Sequence, residues 1–190
     1  MKKKLTLLSL LLVCALPIFA QNIFTAIQEN DVPGVKFLLN QGVNLNAKNS
    51  DGSTALIYAV KSNQEKFVNL ILQADVKVDA KDADGNTALM VACKQGNINI
   101  VNLLLHYYPN LDARNTTGAT ALIAAVNAGN TSAVKSLLEH GASTKIKDKQ
   151  HKTAADYAKD GNNQQIVSLL GNTYPVTASI KPAGAYVPFQ

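Results

Sequence analysis

A period of 33 residues constrains this chain more than any other feature. Thr54-Ala55-Leu56, Thr87-Ala88-Leu89, Thr120-Ala121-Leu122 and Thr153-Ala154-Ala155 each stand 33 residues apart, as do Ala59, Ala92, Ala125 and Ala158. Val35, Val68, Val101, Val134 and Val167 keep the same spacing. A fixed period of about 20 to 50 residues marks a repeat architecture, in which each repeat buries its apolar face only by stacking on its neighbours. Within one repeat the apolar residues follow helical spacing twice, first as Leu56, Ala59 and Val60, then as Val68, Ile71 and Leu72. Each repeat therefore reads as helix, turn, helix.

The punctuation has a physical reason at each step. Thr54, Thr87, Thr120 and Thr153 precede the first helices, where a hydroxyl accepts from the free N–H groups of the first turn. The alanine column keeps side chains small where paired helices approach. Asn63, Gly96, Gly129 and Asn162 fall where the first helix ends, a place that favours left-handed backbone. The second helices end in runs such as Phe37-Leu38-Leu39 and Leu103-Leu104-Leu105, too apolar for one helix pair to cover. Between repeats, Asn49-Ser50-Asp51-Gly52, Asp82-Ala83-Asp84-Gly85 and Asn115-Thr116-Thr117-Gly118 combine Asx residues with glycine in the manner of tight turns, so a hairpin-like finger is expected there.

With this period, the D-G-x-T-A-L start, the Gly or Asn between helices and the leucine runs, the chain resembles the ankyrin repeats over residues 22 to 170. The resemblance implies an all-α solenoid of stacked helix-turn-helix repeats with β-turn fingers. The repeat domain is then 21–170, in five repeats at about 21–50, 51–83, 84–116, 117–149 and 150–171. The family's T-P-L-H is here T-A-L-I, T-A-L-M, T-A-L-I and T-A-A-D, so the proline and the histidine that links neighbouring turns are missing. That puts the bonding between turns in doubt. In the last repeat Ala155, Asp156 and Lys159 replace more apolar residues and Gln164-Gln165 opens the second helix, which suits a C-terminal cap. The first repeat lacks its leading turn.

Residues 1–20 read as a secretory signal peptide, with Lys2, Lys3 and Lys4 ahead of an apolar run and Ala20 at the cut, so that Gln21 opens the mature chain. The run from Leu5 to Ala20 is 16 residues, shorter than the roughly 20 of a spanning helix, so no stable membrane insertion is expected after cleavage. Without the three lysines, 15 basic residues face 13 acidic ones, a net charge of +2 in place of +5. The basicity is mostly targeting and argues against nucleic acid. The Lys-rich start and the Ala-Gln junction look bacterial, which places the protein in the periplasm or outside the cell. Cys93 is then the sole cysteine, so stability comes from packing. Residues 172–190, with Pro175, Pro182 and Pro188, break the repeat pattern and read as a flexible tail.

The residues offer no catalytic constellation. His106, His140 and His151 fall in different repeats without partners at ligand spacing, so no metal is assigned. Cys93 takes the place of Val60 and Val126 and reads as a small apolar filler. Asp51, Asp82, Asp84 and Asp148 recur with the period and are explained by turns, phosphate-binding motifs are absent, and no cofactor is expected. Lys48, Lys81, Arg114 and Lys147 recur at one position and read as a solvated face.

A stack of repeats offers an extended binding surface, with first helices and turn tips on its concave side. What the ankyrin resemblance implies is recognition of a protein partner by a chain that is monomeric alone. Its site residues would be Ser50, Asp51, Ser53, Lys61 and Ser62, then Ala83, Asp84, Asn86, Lys94 and Gln95, then Thr116, Thr117, Ala119, Asn127 and Ala128, and finally Lys149, Gln150 and Lys152. His106-Tyr107-Tyr108-Pro109 departs from the period, because Gly42 and Gly141 end the second helix where this repeat has Tyr108. Tyrosine is a poor left-handed residue and Pro109 disfavours helical geometry before it, so this loop is expected to turn extended and to present an aromatic ring, making Tyr107 and Tyr108 further candidates for partner contact. The function expected is a non-catalytic interaction module of the periplasm or cell envelope. An immunity protein against a toxin, a secreted effector against a host protein and an enzyme are the alternatives.

Overall fold

The structure, a computed structural model, describes residues 22–74 and 76–171. The expected leader 1–20 and tail 172–190 lie outside the described residues. These contain ten helices of six to nine residues and no strand. Helices this short are unstable alone, so their free energy of formation comes from packing. The chain divides into two compact units, one ending at Val43 and the other beginning at Asn44.

In the first unit α1 (Ile23–Gln28) packs on α2 (Val32–Asn40). Asn22 caps α1 by accepting from the Thr25 N–H, and Asp31 caps α2 by accepting from the Gly34 N–H. Ile23, Ala26, Ile27 and Val35 are buried, while Phe37 is 52% exposed.

The second unit holds four helix pairs: α3 (Ala55–Lys61) with α4 (Glu65–Leu72), α5 (Ala88–Gln95) with α6 (Ile98–Leu105), α7 (Ala121–Asn127) with α8 (Thr131–Glu139), and α9 (Ala154–Asp160) with α10 (Gln164–Gly171). The first helices α3, α5, α7 and α9 pack on one another in order, and the second helices α4, α6, α8 and α10 do likewise. Thr54, Thr87, Thr120 and Thr153 cap the first helices as the sequence predicts, each hydroxyl accepting from the N–H three residues on. Thr153 completes a capping box, in which the Asp156 carboxylate accepts from the Thr153 N–H. Ala59, Ala92, Ala125 and Ala158 are buried between helices, and Leu56, Phe67, Ile71, Leu89, Ile100, Leu104, Leu122, Leu137 and Ile166 fill the core. Burying each such large side chain stabilises the fold by about 1.5–3 kcal/mol.

The end of α6 overturns one expectation. Tyr108 is left-handed, with φ +51°, like Gly42 at +70° and Gly141 at +88° in the same place. Helix closure decides this: the Tyr108 N–H donates to Leu105 O just as Gly42 and Gly141 donate to Leu39 O and Leu138 O. Proline acts instead on the next bond. Val43 and Ala142 donate to Leu38 O and Leu137 O, but Pro109 has no N–H, and Leu104 O accepts from Tyr107. The tyrosine thus keeps the family of turns and bears its steric cost, with 43% of its surface exposed.

Polar bonds tie one repeat to the next along the loops that follow the second helices. Asn46 Oδ1 accepts from the Lys77 N–H at 2.9 Å, Asp79 Oδ1 from Asn110 at 2.9 Å and Asp112 Oδ1 from Ser143 at 3.0 Å. Each bond reaches 31 residues forward.

Candidate functional site

Four fingers precede the first helices of the second unit, at 49–53, 82–86, 115–119 and 148–152, and each is clamped by its leading Asx residue. Asn49, Asp82, Asn115 and Asp148 use Oδ1 to accept from the N–H groups two and four residues on. The backbone closes the same turn, with Asn49, Asp82, Asn115 and Asp148 donating to the carbonyl four residues ahead. Successive fingers lie close. A Cβ on Gly118, whose φ is +82°, would stand 2.8 Å from Arg114 and 3.0 Å from the Lys149 nitrogen, so only glycine fits. In the last finger this place belongs to the exposed His151, at φ +61°.

The missing family histidine does not leave the fingers unbonded. The Thr116 N–H donates to Asp84 O and the Lys149 N–H to Thr117 O, both at 2.9 Å. Lys81 Nζ donates to Arg114 O at 2.8 Å and an Arg114 guanidinium nitrogen to Lys147 O at 2.7 Å. These cations were expected to be a solvated face. Lys81 and Arg114 are exposed, and each also joins its finger to the carbonyl of the same position in the next repeat.

Lys61, at the end of α3, reaches two fingers at once: Nζ donates to Ser53 Oγ at 2.9 Å and pairs with Asp82 Oδ2 at 3.0 Å. Burial pushes the Asp82 carboxyl up, but the Lys61 ammonium and the Asn86 N–H outweigh it and hold the group below the usual carboxylate range. Between the third and fourth fingers the arrangement differs. Asp148 Oδ2 accepts from the Tyr157 hydroxyl of α9 at 2.5 Å, and that bond opens onto a cleft of about 450 Å³. Its lining includes Ala119, Ile123, Asn127, Asp148, Gln150 and Tyr157. Burial raises the Asp148 carboxyl, yet the Tyr157 hydroxyl and the N–H groups of Lys152 and Gln150 leave it below its usual range, while the same bond pushes Tyr157 up to about 12.

Of the residues predicted for partner contact, Ser50, Asp51, Asp84, Lys94, Gln95, Thr117, Asn127, Lys149 and Gln150 are exposed, and Asn86, Lys152 and Tyr107 are half-buried. Thr117, Asn127, Lys149 and Gln150 meet in the cleft. Lys61 is exposed but held by Asp82, and Lys152 by Asp160 at 2.9 Å with its ammonium 5.4 Å from the centre of the Tyr157 ring. Tyr107 meets His106 edge to face at 5.9 Å, and neither Tyr107 nor the exposed Tyr108 lines the cleft. Ser53 is corrected: it is 1% exposed, because its hydroxyl faces inward to receive Lys61. Sequence reasoning missed Tyr157 and treated Asp148 as turn geometry alone. The usable signal was a mismatch of columns, since Lys61, Lys94 and Asn127 share one position and Asp82, Asn115 and Asp148 the position that faces it.

A family model for ankyrin repeats, built of three copies, matches residues 23–115 and 109–179. The chain belongs to the ankyrin repeat family. Comparison with individual curated proteins yields no match. Ankyrin repeats are protein–protein interaction modules on a non-catalytic fold. In this ankyrin chain Cys93 is fully buried, with its thiol pushed by burial up to about 12, which is the opposite of nucleophile activation. Among the described residues no group of three His, Cys, Asp or Glu converges to hold a metal ion, and no helix is long and apolar enough to cross a membrane.

Proposed function

We propose that this chain is an exported, non-catalytic ankyrin module of the bacterial periplasm or cell envelope, released by cleavage after Ala20, that binds a protein partner through its finger tips and first-helix ends. The observation that carries the binding surface is the exposure, side by side, of Thr117, Asn127, Lys149 and Gln150 around a cleft between two fingers that are locked from below. Rigid fingers present polar groups with little ordering entropy to lose on contact. The export half rests on the lysine start, the short apolar run and Ala20.

The test is expression of the full chain with a C-terminal tag in a Gram-negative host, N-terminal sequencing of each cell fraction, and crosslinking from a photoreactive residue placed at Asp84, Thr117 or Asn127. A mature start at Gln21 in the periplasm and one stoichiometric crosslinked protein are expected. An intact Met1 in the membrane fraction with no crosslink above background would overturn both halves and leave a tethered spacer.

A further inference from the structure

The cleft between the third and fourth fingers has a filled counterpart inside the same molecule. Between the first and second fingers, Lys61 at the end of α3 sends its ammonium past Ser53 to the buried carboxylate of Asp82. The corresponding residues are Asn127 at the end of α7, Ala119 and Asp148, and all three line the cleft. Asparagine is too short to reach where a lysine ammonium would stand, and alanine offers no hydroxyl. The carboxylate is nonetheless retained. Asp148 is 6% exposed and uses Oδ1 as Asp82 does, for two finger N–H groups. Its Oδ2 has a neutral hydroxyl from Tyr157 where Asp82 has a cation.

We propose that this cleft receives a lysine or arginine side chain of the protein partner, which takes the place that Lys61 fills between the first two fingers. The proposal rests on the reading of the chain as a protein-binding module. Asp148 Oδ2 keeps a second lone pair beside the one bonded to Tyr157, and the amide oxygens of Asn127 and Gln150 are further acceptors on the lining. Lys152 Nζ lies 5.4 Å from the centre of the Tyr157 ring while paired with Asp160, and its charge also acts on Asp148 through space, so it opposes a second cation, but it makes no hydrogen bond to Oδ2. Ile123 and Ala119 give the alkyl stem an apolar wall. Lys149 lies on the same lining and opposes an incoming cation, which limits the affinity of a single side chain and makes the cleft one contact of a larger interface. The neighbouring pair of fingers has the reverse imbalance in its sequence, with Lys94 in the column of Lys61 and the neutral Asn115 in the column of Asp82, so among these columns only Asp148 is a carboxylate without a lysine opposite.

The probe is butylguanidinium, titrated into the ¹⁵N-labelled full chain and followed by backbone amide shifts, with n-pentanol as the uncharged control. Saturable shifts at Ala119, Asn127, Asp148 and Gln150 are expected from the cation and not from the alcohol. Asn127→Lys supplies the ammonium internally and is expected to weaken the probe by roughly tenfold or more. Tyr157→Phe frees the second position on Oδ2 and is expected to strengthen it, a sign that general loosening of the finger would not give. Absence of saturable shifts at these amides, or shifts that survive Asn127→Lys unchanged, overturns the cation site. Either result leaves the interaction-module reading standing, because that reading is lost only if the finger tips give no crosslink.

Discussion

The Lys61 ammonium lies 3.0 Å from the Asp82 carboxylate, and the two ends of the pair differ sharply, with 39% of the lysine side chain exposed and 2% of the aspartate's. The energetic weight therefore sits on the aspartate, because losing its partner leaves a charge in a place that water barely reaches. Lys61→Met is expected to cost about 1–3 kcal/mol, less than for a fully buried pair because the lysine end is screened. Urea unfolding at neutral pH measures it. The folded state holds Asp82 below its usual range, so this contribution is present above the unfolded carboxylate value and fades as pH falls through the lower folded one. The gap between wild type and Lys61→Met should narrow on acidification; a constant gap would place the effect elsewhere.

Gln64 is the weak cap of the set. Asp31, Asn97, Asn130 and Asn163 each accept from the N–H three residues on, whereas Gln64 makes no side-chain cap bond and its buried Oε1 has no partner. Gln64→Asn shortens the side chain to the length its counterparts use and is expected to stabilise the protein by about 1 kcal/mol, seen as a higher urea midpoint at unchanged slope.

Tyr108 holds φ +51°, a conformation that costs a residue with a Cβ about 1–2 kcal/mol. Glycine removes that cost but adds freedom to the unfolded chain worth about 0.4–1 kcal/mol, so Tyr108→Gly should gain up to about 1.5 kcal/mol. Tyr108→Ala, which keeps the Cβ, should not gain. Equal effects of the two changes would show that the ring and not the backbone sets the stability.

Cys93 is fully buried and its thiol is pushed up to about 12. In a Cys14→Ala background, alkylation at pH 8 should proceed only through opening of the second unit and should speed up steeply in urea. Rapid labelling of the folded protein would sink the view of Cys93 as packing.

Tyr157 donates to Asp148, which raises its folded ionisation to about 12 from the ordinary 10. Its contribution to stability is fully present below pH 10 and is lost as pH rises from there toward 12. Absorbance titration of wild type against Tyr157→Phe should show one tyrosine ionising late. If the missing step lies near 10, the bond to Asp148 does not persist in solution.

Most of the fold was legible because its determinants are local and repeated. The threonine caps, the buried alanines and the left-handed Asn63 and Gly96 follow from a few residues of context each. Tyr108 was misread because the local preference of a residue before proline yielded to the hydrogen bonds that close α6. Ser53 was misread because exposure depends on the lysine eight residues later folding back over it. The candidate cleft was half visible: Thr117 and Asn127 stood out as finger and helix-end residues, but Asp148 and Tyr157 join them only through packing of α9 on α7. The bonds from Lys81 to Arg114 and from Arg114 to Lys147 were hidden because nothing in a recurring cation on an exposed face says whether it also reaches the next repeat.

The bonds that cross from one repeat to the next have a fixed reach, 31 residues for Asn46, Asp79 and Asp112 and 33 for Lys81 and Arg114. Donor and acceptor therefore recur at the same place in successive repeats, held there by the helices between them. One residue inserted inside α5 or α6 would turn the rest of that helix by about 100° and move its side chains off both neighbours, whereas a complete extra 33-residue segment would restore every pairing. The length of such a chain can change by duplication or loss of whole repeats, and hardly at all by single steps.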